Sequence, residues 1–110
     1  MYSRRVRGEI AISAMGWATL SAPTGFTAQR DAYEPTTVIF RWNPVNGASY
    51  YYVYDSAIAN SGYSYIGSTE SPASVFGYGT SLTFYFKVCA VNSADVEGPM
   101  SAVATVGPWW

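Results

Sequence analysis

The chain has 110 residues, enough for one domain with a single core and no need of metal or disulfide staples. Hydrophobic residues make up 49% of it and aromatics 17%, but charged residues only 12%, against a usual charged share of about 25%, so its solubility rests on Ser, Thr, Asn and Gly. A net charge of −1 excludes the footprint of a general nucleic-acid binder, and no apolar run approaches the ~18 residues that membrane insertion needs.

The first nineteen residues stand apart. Arg4, Arg5 and Arg7 precede Glu9, whereas from Ile10 onward there are three basic and six acidic residues, so a positive arm leads a mildly negative body. Val6, Gly8, Ile10, Ile12 and Ala14 share one parity, and Arg5, Arg7, Glu9 and Ser13 share the other, which is a strand pattern. The basic start is like that of an export signal. Gly8, Glu9 and Ser13, however, interrupt the stretch where an apolar region should lie, so no signal peptide is expected. A chain that opens at Met1 and carries no histidine tag reads as a whole gene product.

Val38, Phe40 and Trp42 then alternate with Thr37, Ile39 and Arg41, a half-buried strand. "NPVNGAS" is a run of turn formers, and "YYYVYD" from Tyr50 to Asp55 predicts a second strand with Tyr51 and Val53 on one face. "AIANSG" reads as a loop and "YSYIGST" as a short strand. "SPAS" and "GYGTS" are turn-like around a brief apolar piece at Val75 and Phe76. "LTFYFKVCAVN" is the strongest strand, with Phe84, Phe86, Val88 and Ala90 on one parity; "SADVEGPM" reads as a loop and "SAVATV" as the last strand before "GPWW". No stretch sustains a helical period. Short strands separated by turns predict an all-β antiparallel sandwich.

In this order "APTGFTA", "VIFRW", "YYVY", "FYFKVCAVN" and "EGPMS" resemble the successive signatures of a fibronectin type III domain. The resemblance covers roughly Leu20 to Val106 and implies a seven-stranded antiparallel sandwich over residues 20–106. An N-terminal strand-like arm over 1–19 and an aromatic tail over 107–110 lie outside it. It implies that Pro23 and Phe26 belong to the first strand, that Trp42 is the core tryptophan, and that Tyr51 and Val53 point inward. The tyrosine corner of such domains falls at Phe84, so its hydroxyl is missing unless Tyr85 or Tyr78 replaces it. Arg7-Gly8-Glu9 is not the integrin-binding tripeptide of some members.

With Tyr51 and Val53 inward, Tyr50, Tyr52 and Tyr54 point outward beside Tyr85, Lys87 and Cys89, and Tyr63 or Tyr65 could join them. Two readings stand for this face. Tyrosine favours strands and cross-strand rings stabilise a sheet by themselves; alternatively the face is a contact surface for a partner chain or a glycan.

Catalytic chemistry is sparse. There is no histidine, and Cys89 is alone, so no intrachain disulfide forms and no imidazole activates the thiol. Asp95 and Glu97 lie together in a loop that reads as a solvated turn, and no helix follows Gly77-Tyr78-Gly79 to make a phosphate loop. No Asn begins a glycosylation sequon. No catalytic residue, cofactor or metal site is expected.

A lone strand needs a partner for its backbone and its apolar row. The arm could fold onto its own domain as an extra edge strand. The basic arm and acidic body favour the alternative, in which Arg4, Arg5, Val6, Arg7, Ile10 and Ile12 dock on a neighbouring subunit, together with Trp109 and Trp110 and the outward Tyr50, Tyr52, Tyr54 and Tyr85. These features favour a non-enzymatic structural subunit of a large assembly, with a bacteriophage virion (capsid or tail decoration) as its setting. Its partners would be copies of itself or other structural subunits, or a host surface glycan. The alternative is an extracellular bacterial module, either a filament subunit or a spacer or glycan-binding domain of a secreted enzyme.

Overall fold

A computed structural model describes residues 20–108. The arm residues Arg4, Arg5, Val6, Arg7, Ile10 and Ile12 and the terminal Trp109 and Trp110 lie outside the described residues. The strands are β1 (Thr27–Arg30), β2 (Thr37–Arg41), β3 (Tyr50–Ser56), β4 (Ser64–Thr69), β5 (Ala73–Gly77), β6 (Phe84–Val91), β7 (Glu97–Met100) and β8 (Ala104–Val106). One sheet runs β1-β2-β5 and the other β4-β3-β6, with both β7 and β8 on the free side of β6. Every pairing is antiparallel.

The two sheets face each other through the side chains that period-two alternation selects. Val38 and Phe40 from β2 meet Val53 from β3 and Phe86 and Val88 from β6, all without solvent exposure. Phe40 and Phe86 meet edge to face with centroids 4.6 Å apart, and Trp42 meets Tyr51 in the same way at 5.3 Å. Burying each such ring contributes about 1.5–3 kcal/mol, which makes this central cluster the main source of stability. The inward row expected of Tyr51, Val53, Phe86, Val88 and Ala90 is buried, while Phe84 at the end of β6 is half-buried.

The seventh strand of the expected sandwich is broken into β7 and β8. Ser101 bridges the break: its backbone N–H donates to the Val88 carbonyl at 2.8 Å, and its hydroxyl accepts the Val88 N–H at 3.0 Å. "SADVEGPM", read as a loop, therefore needs correction, because Glu97–Met100 is a strand. Gly98 and Pro99 disguised it. Pro99 lacks a backbone N–H, and an edge strand tolerates that loss.

Neither Tyr78 nor Tyr85 rebuilds the tyrosine corner. Tyr78 packs on Phe84 at 4.7 Å, but its hydroxyl donates to a carboxylate oxygen of Asp55 at 2.8 Å rather than to backbone. The fastening at this end of the sandwich comes from Arg30, which is buried. Its guanidinium donates to the carbonyls of Gly107 (2.9 Å), Pro35 (2.8 Å) and Gly79 (2.8 Å), with a longer contact to Tyr78 (3.5 Å).

The described chain enters and leaves at opposite ends. Leu20 lies over Gly98, where an added Cβ would come within 2.7 Å of the Leu20 Cβ. This is the end that carries Tyr50 and Val91, which are paired. Gly107 lies at the other end, beyond the pairing of Phe84 with Val106.

Candidate binding face

The outer surface of the larger sheet is paved with tyrosine. Alternation along β3 turns Tyr50, Tyr52 and Tyr54 away from the core, and the β3–β6 register sets Tyr52 opposite Cys89 and Tyr54 opposite Lys87. A bulge adds to the row. Val53 pairs with Gly67, but Tyr54 pairs with Tyr65, so one extra residue in β4 rotates Tyr65 onto the tyrosine side. The expectation left open whether Tyr63 or Tyr65 joins the face. Both do.

The rings form a connected series. Tyr50 and Tyr52 lie 5.5 Å apart, and Tyr65 stands edge-on to Tyr52 at 5.1 Å and to Tyr54 at 6.1 Å. Toward the Gly107 end, the Lys87 ammonium sits 4.6 Å over the centre of the Tyr63 ring, a cation–π contact. The Tyr63 hydroxyl donates to the Ala59 carbonyl at 2.6 Å. Tyr85 is half-buried opposite Ser56 and Thr105.

Two hydroxyls are tied down by the turn before β7 and by the first residue of β7 itself, a stretch that the sequence presented as a solvated turn. Tyr50 donates to Asp95, and Tyr54 donates to Glu97 at 2.7 Å. Asn92 shapes that loop, its side-chain oxygen accepting the N–H groups of Ala94 (2.9 Å) and Val96 (3.0 Å). Asp95 closes the turn at φ 64°, a left-handed conformation that Asp tolerates better than most residues. The carboxylates are thus aimed back at the tyrosines and define an acidic rim.

These contacts move the proton affinities of the site upward. Tyr50 is raised chiefly by its hydrogen bond to Asp95, and Tyr54 by burial and then by its bond to Glu97. Cys89 is fully buried although it stands on the outward side of β6. Its thiol donates to Glu97 at 3.5 Å, on the same carboxylate oxygen that holds Tyr54. Burial, then the Glu97 charge, pushes the thiol up to about 12, which leaves it protonated and unreactive at neutral pH. Among the described residues no group of three or more His, Cys, Asp or Glu is placed to hold a metal. The face supplies π surfaces, carboxylate acceptors and one ammonium, which is the chemistry of binding.

Of the residues expected to meet partners, the structure brings Tyr50, Tyr52 and Tyr54 together on one face, with Tyr85 at its far end. Sequence reasoning missed the joint role of Asp95 and Glu97. Their two-residue spacing was visible, but the hairpin that turns them toward Tyr50 and Tyr54 was not.

No family model matches the chain, and no curated protein matches it. Solved structures do. An Fn3-like protein from Clostridium thermocellum is 28% identical over 84% of this chain and 97% of its own, with a TM-score of 0.75. The fn3 domain of the human collagen alpha-1(XX) chain is 18% identical over 84% of this chain and 88% of its own, at 0.63. A beta-1,2-glucanase from Parabacteroides distasonis is 23% identical over 84% of this chain but only 14% of its own, at 0.64.

Proposed function

We propose that this chain, a domain of fibronectin type III fold, is a non-enzymatic structural subunit of a large assembly and meets its neighbours through the tyrosine face. The observation that carries the reading is the linked series Tyr50–Tyr52–Tyr65–Tyr54, with two hydroxyls fixed by Asp95 and Glu97. Rings held in place lose little freedom on binding, so their burial is converted to affinity with a small entropic penalty. Tyr65 keeps 53% of its surface exposed, so the series is open to a partner. Opposite chain ends add support, because they allow copies to follow one another in line. A bacteriophage virion is the setting we propose: a small sandwich of this kind, led by a strand-like basic arm, suits a decoration or tail component whose arm docks on the next subunit.

A second reading is an extracellular bacterial module attached to an enzyme. It is favoured by the glucanase comparison, in which the matching domain is a small part of a longer chain. In that role the same rings would stack on sugars.

Native mass in solution separates the two. Light scattering on the full chain should give multiples of its 12.0 kDa mass that grow with concentration. A monomer at every concentration contradicts the assembly reading. A glycan array with no positive sugar removes the sugar-binding form of the second reading.

A further inference from the structure

We infer that the occupant of the tyrosine face is the basic segment Arg4–Ile12 of a second copy of this chain, stacked end to end with the first. This rests on the reading of that face as a contact surface and names what covers it.

The face is electrically polar along its length. Its carboxylates gather at the Tyr50 end: Asp95 and Glu97 on one side, and on the other Glu70, which follows β4 and lines an open recess of about 420 Å3 with Tyr50, Ser68 and Thr69. Asp95 and Glu97 use Oδ1 and Oε1 for the tyrosine hydroxyls, and each carboxylate keeps a second oxygen, Oδ2 and Oε2, that can accept from a further donor. The ammonium of Lys87 lies toward the other end, over Tyr63. That contact also demonstrates how a cation sits on this surface. A guanidinium within about 6 Å of a ring centre is attracted in the same way, and it pairs with a carboxylate through two parallel hydrogen bonds.

The only concentrated positive charge in the sequence is Arg4, Arg5 and Arg7, and the polarity of the face decides whose arm fits. Leu20 sits at the acidic, Tyr50 end, against Gly98. An arm extended over its own face would carry its arginines to the Lys87 end, where the charge is wrong. The β7 edge beside Leu20 is also a poor template, because Pro99 interrupts its row of N–H donors. Copies stacked end to end reverse the direction. The arm then enters its neighbour's face from the Lys87 side and brings the arginines to the carboxylates. The reach suffices: the eight residues of β6 span ~27 Å at ~3.4 Å each, while the stretch from Arg7 to Leu20 extends to ~43 Å.

Sedimentation of the full chain over a range of concentration and salt tests this, alongside three variants: deletion of residues 1–19, Arg4→Ser/Arg5→Ser/Arg7→Ser, and Glu70→Gln/Asp95→Asn/Glu97→Gln. The full chain should associate, and rising salt should weaken it. All three variants should lower the association constant at least about tenfold, as expected for lost charge pairs. Asp31→Asn/Glu34→Gln, which removes charge at the other end, should leave it unchanged. A synthetic peptide of residues 1–19 should bind the deleted chain, and its arginine-free version should not. Peptide binding with a monomeric full chain would mean that the arm covers its own face, which overturns the inference. Association that needs the arm but ignores the three carboxylates would place the docking site elsewhere, overturning the inference while sparing the assembly reading. With neither association nor peptide binding, both fall.

Discussion

The guanidinium Nε of Arg30 donates to the carbonyl of Gly107 at 2.9 Å, across 77 positions of sequence. With its bonds to Pro35 and Gly79, this one side chain latches β1, the β1–β2 connection, the β5–β6 connection and the end of β8. A buried cation is costly unless its donors are filled, and here backbone carbonyls fill them. Arg30→Met should therefore lower stability by about 2–4 kcal/mol in urea unfolding, because it strands several carbonyls at once. Arg30→Lys should recover less than half of that, since one ammonium cannot reach carbonyls spread over a planar fork. A loss below about 0.5 kcal/mol for Arg30→Met would show that the latch carries nothing.

Stability should fall at alkaline pH. Burial and the Asp55 hydrogen bond raise Tyr78, burial and Glu97 raise Tyr54, and burial pushes Cys89 up to about 12. In each case the folded state holds its proton more tightly than the unfolded chain, where cysteine and tyrosine ionise near ~8.5 and ~10. Their stabilising contribution is fully present below about pH 8.5 and declines as pH rises through the window up to about 12. Denaturant titrations at pH 7, 9, 10 and 11 check this; stability that rises over that range contradicts it. In the same experiment Cys89 should resist a thiol reagent at pH 8 until the protein is unfolded.

Gly98→Ala should disturb the start of the domain. The new methyl would meet the Leu20 Cβ at 2.7 Å and the Ala90 carbonyl at 3.5 Å, so Leu20 must shift. Overpacking of this kind costs about 1–3 kcal/mol. Pairing it with Leu20→Gly, which removes the clashing Cβ, should give less than the sum of the two losses, and strict additivity would show that the residues do not touch in solution.

Much of this fold was legible in the sequence because its core strands alternate cleanly. Val38, Phe40 and Trp42, then Tyr51 and Val53, then Phe86, Val88 and Ala90 each declare their buried face by spacing alone. The rest depended on contacts between segments far apart in the chain. Nothing in the sequence marks Arg30 as buried, because three of the four carbonyls it meets, those of Tyr78, Gly79 and Gly107, lie far along the chain. Cys89 lies on the outward parity, and the Glu97 carboxylate that accepts its thiol hydrogen bond comes from the next strand. Tyr65 reaches the tyrosine face only through a bulge, which shifts parity by one residue and leaves no composition signal. Glu97–Met100 was hidden because Gly and Pro mark turns more often than edge strands.

Removing rings from the tyrosine face should leave the domain folded. In Tyr52→Ser/Tyr65→Ser the substituted side chains lie outside the hydrophobic core, and lost cross-strand ring contacts are worth about 0.2–1 kcal/mol each. The near-ultraviolet spectrum of the core aromatics Phe40, Trp42 and Phe86 should persist, and unfolding should remain cooperative. Collapse of that spectrum would mean that the rings serve the fold rather than a partner.

That variant also supplies the most direct test of the assembly role. Light scattering at low salt should show the parent chain as multiples of 12.0 kDa and Tyr52→Ser/Tyr65→Ser as a folded species of 12.0 kDa. Equal masses for the two proteins, whether both associate or both stay single, would contradict the assignment of the tyrosine face as the surface through which this domain joins its neighbours.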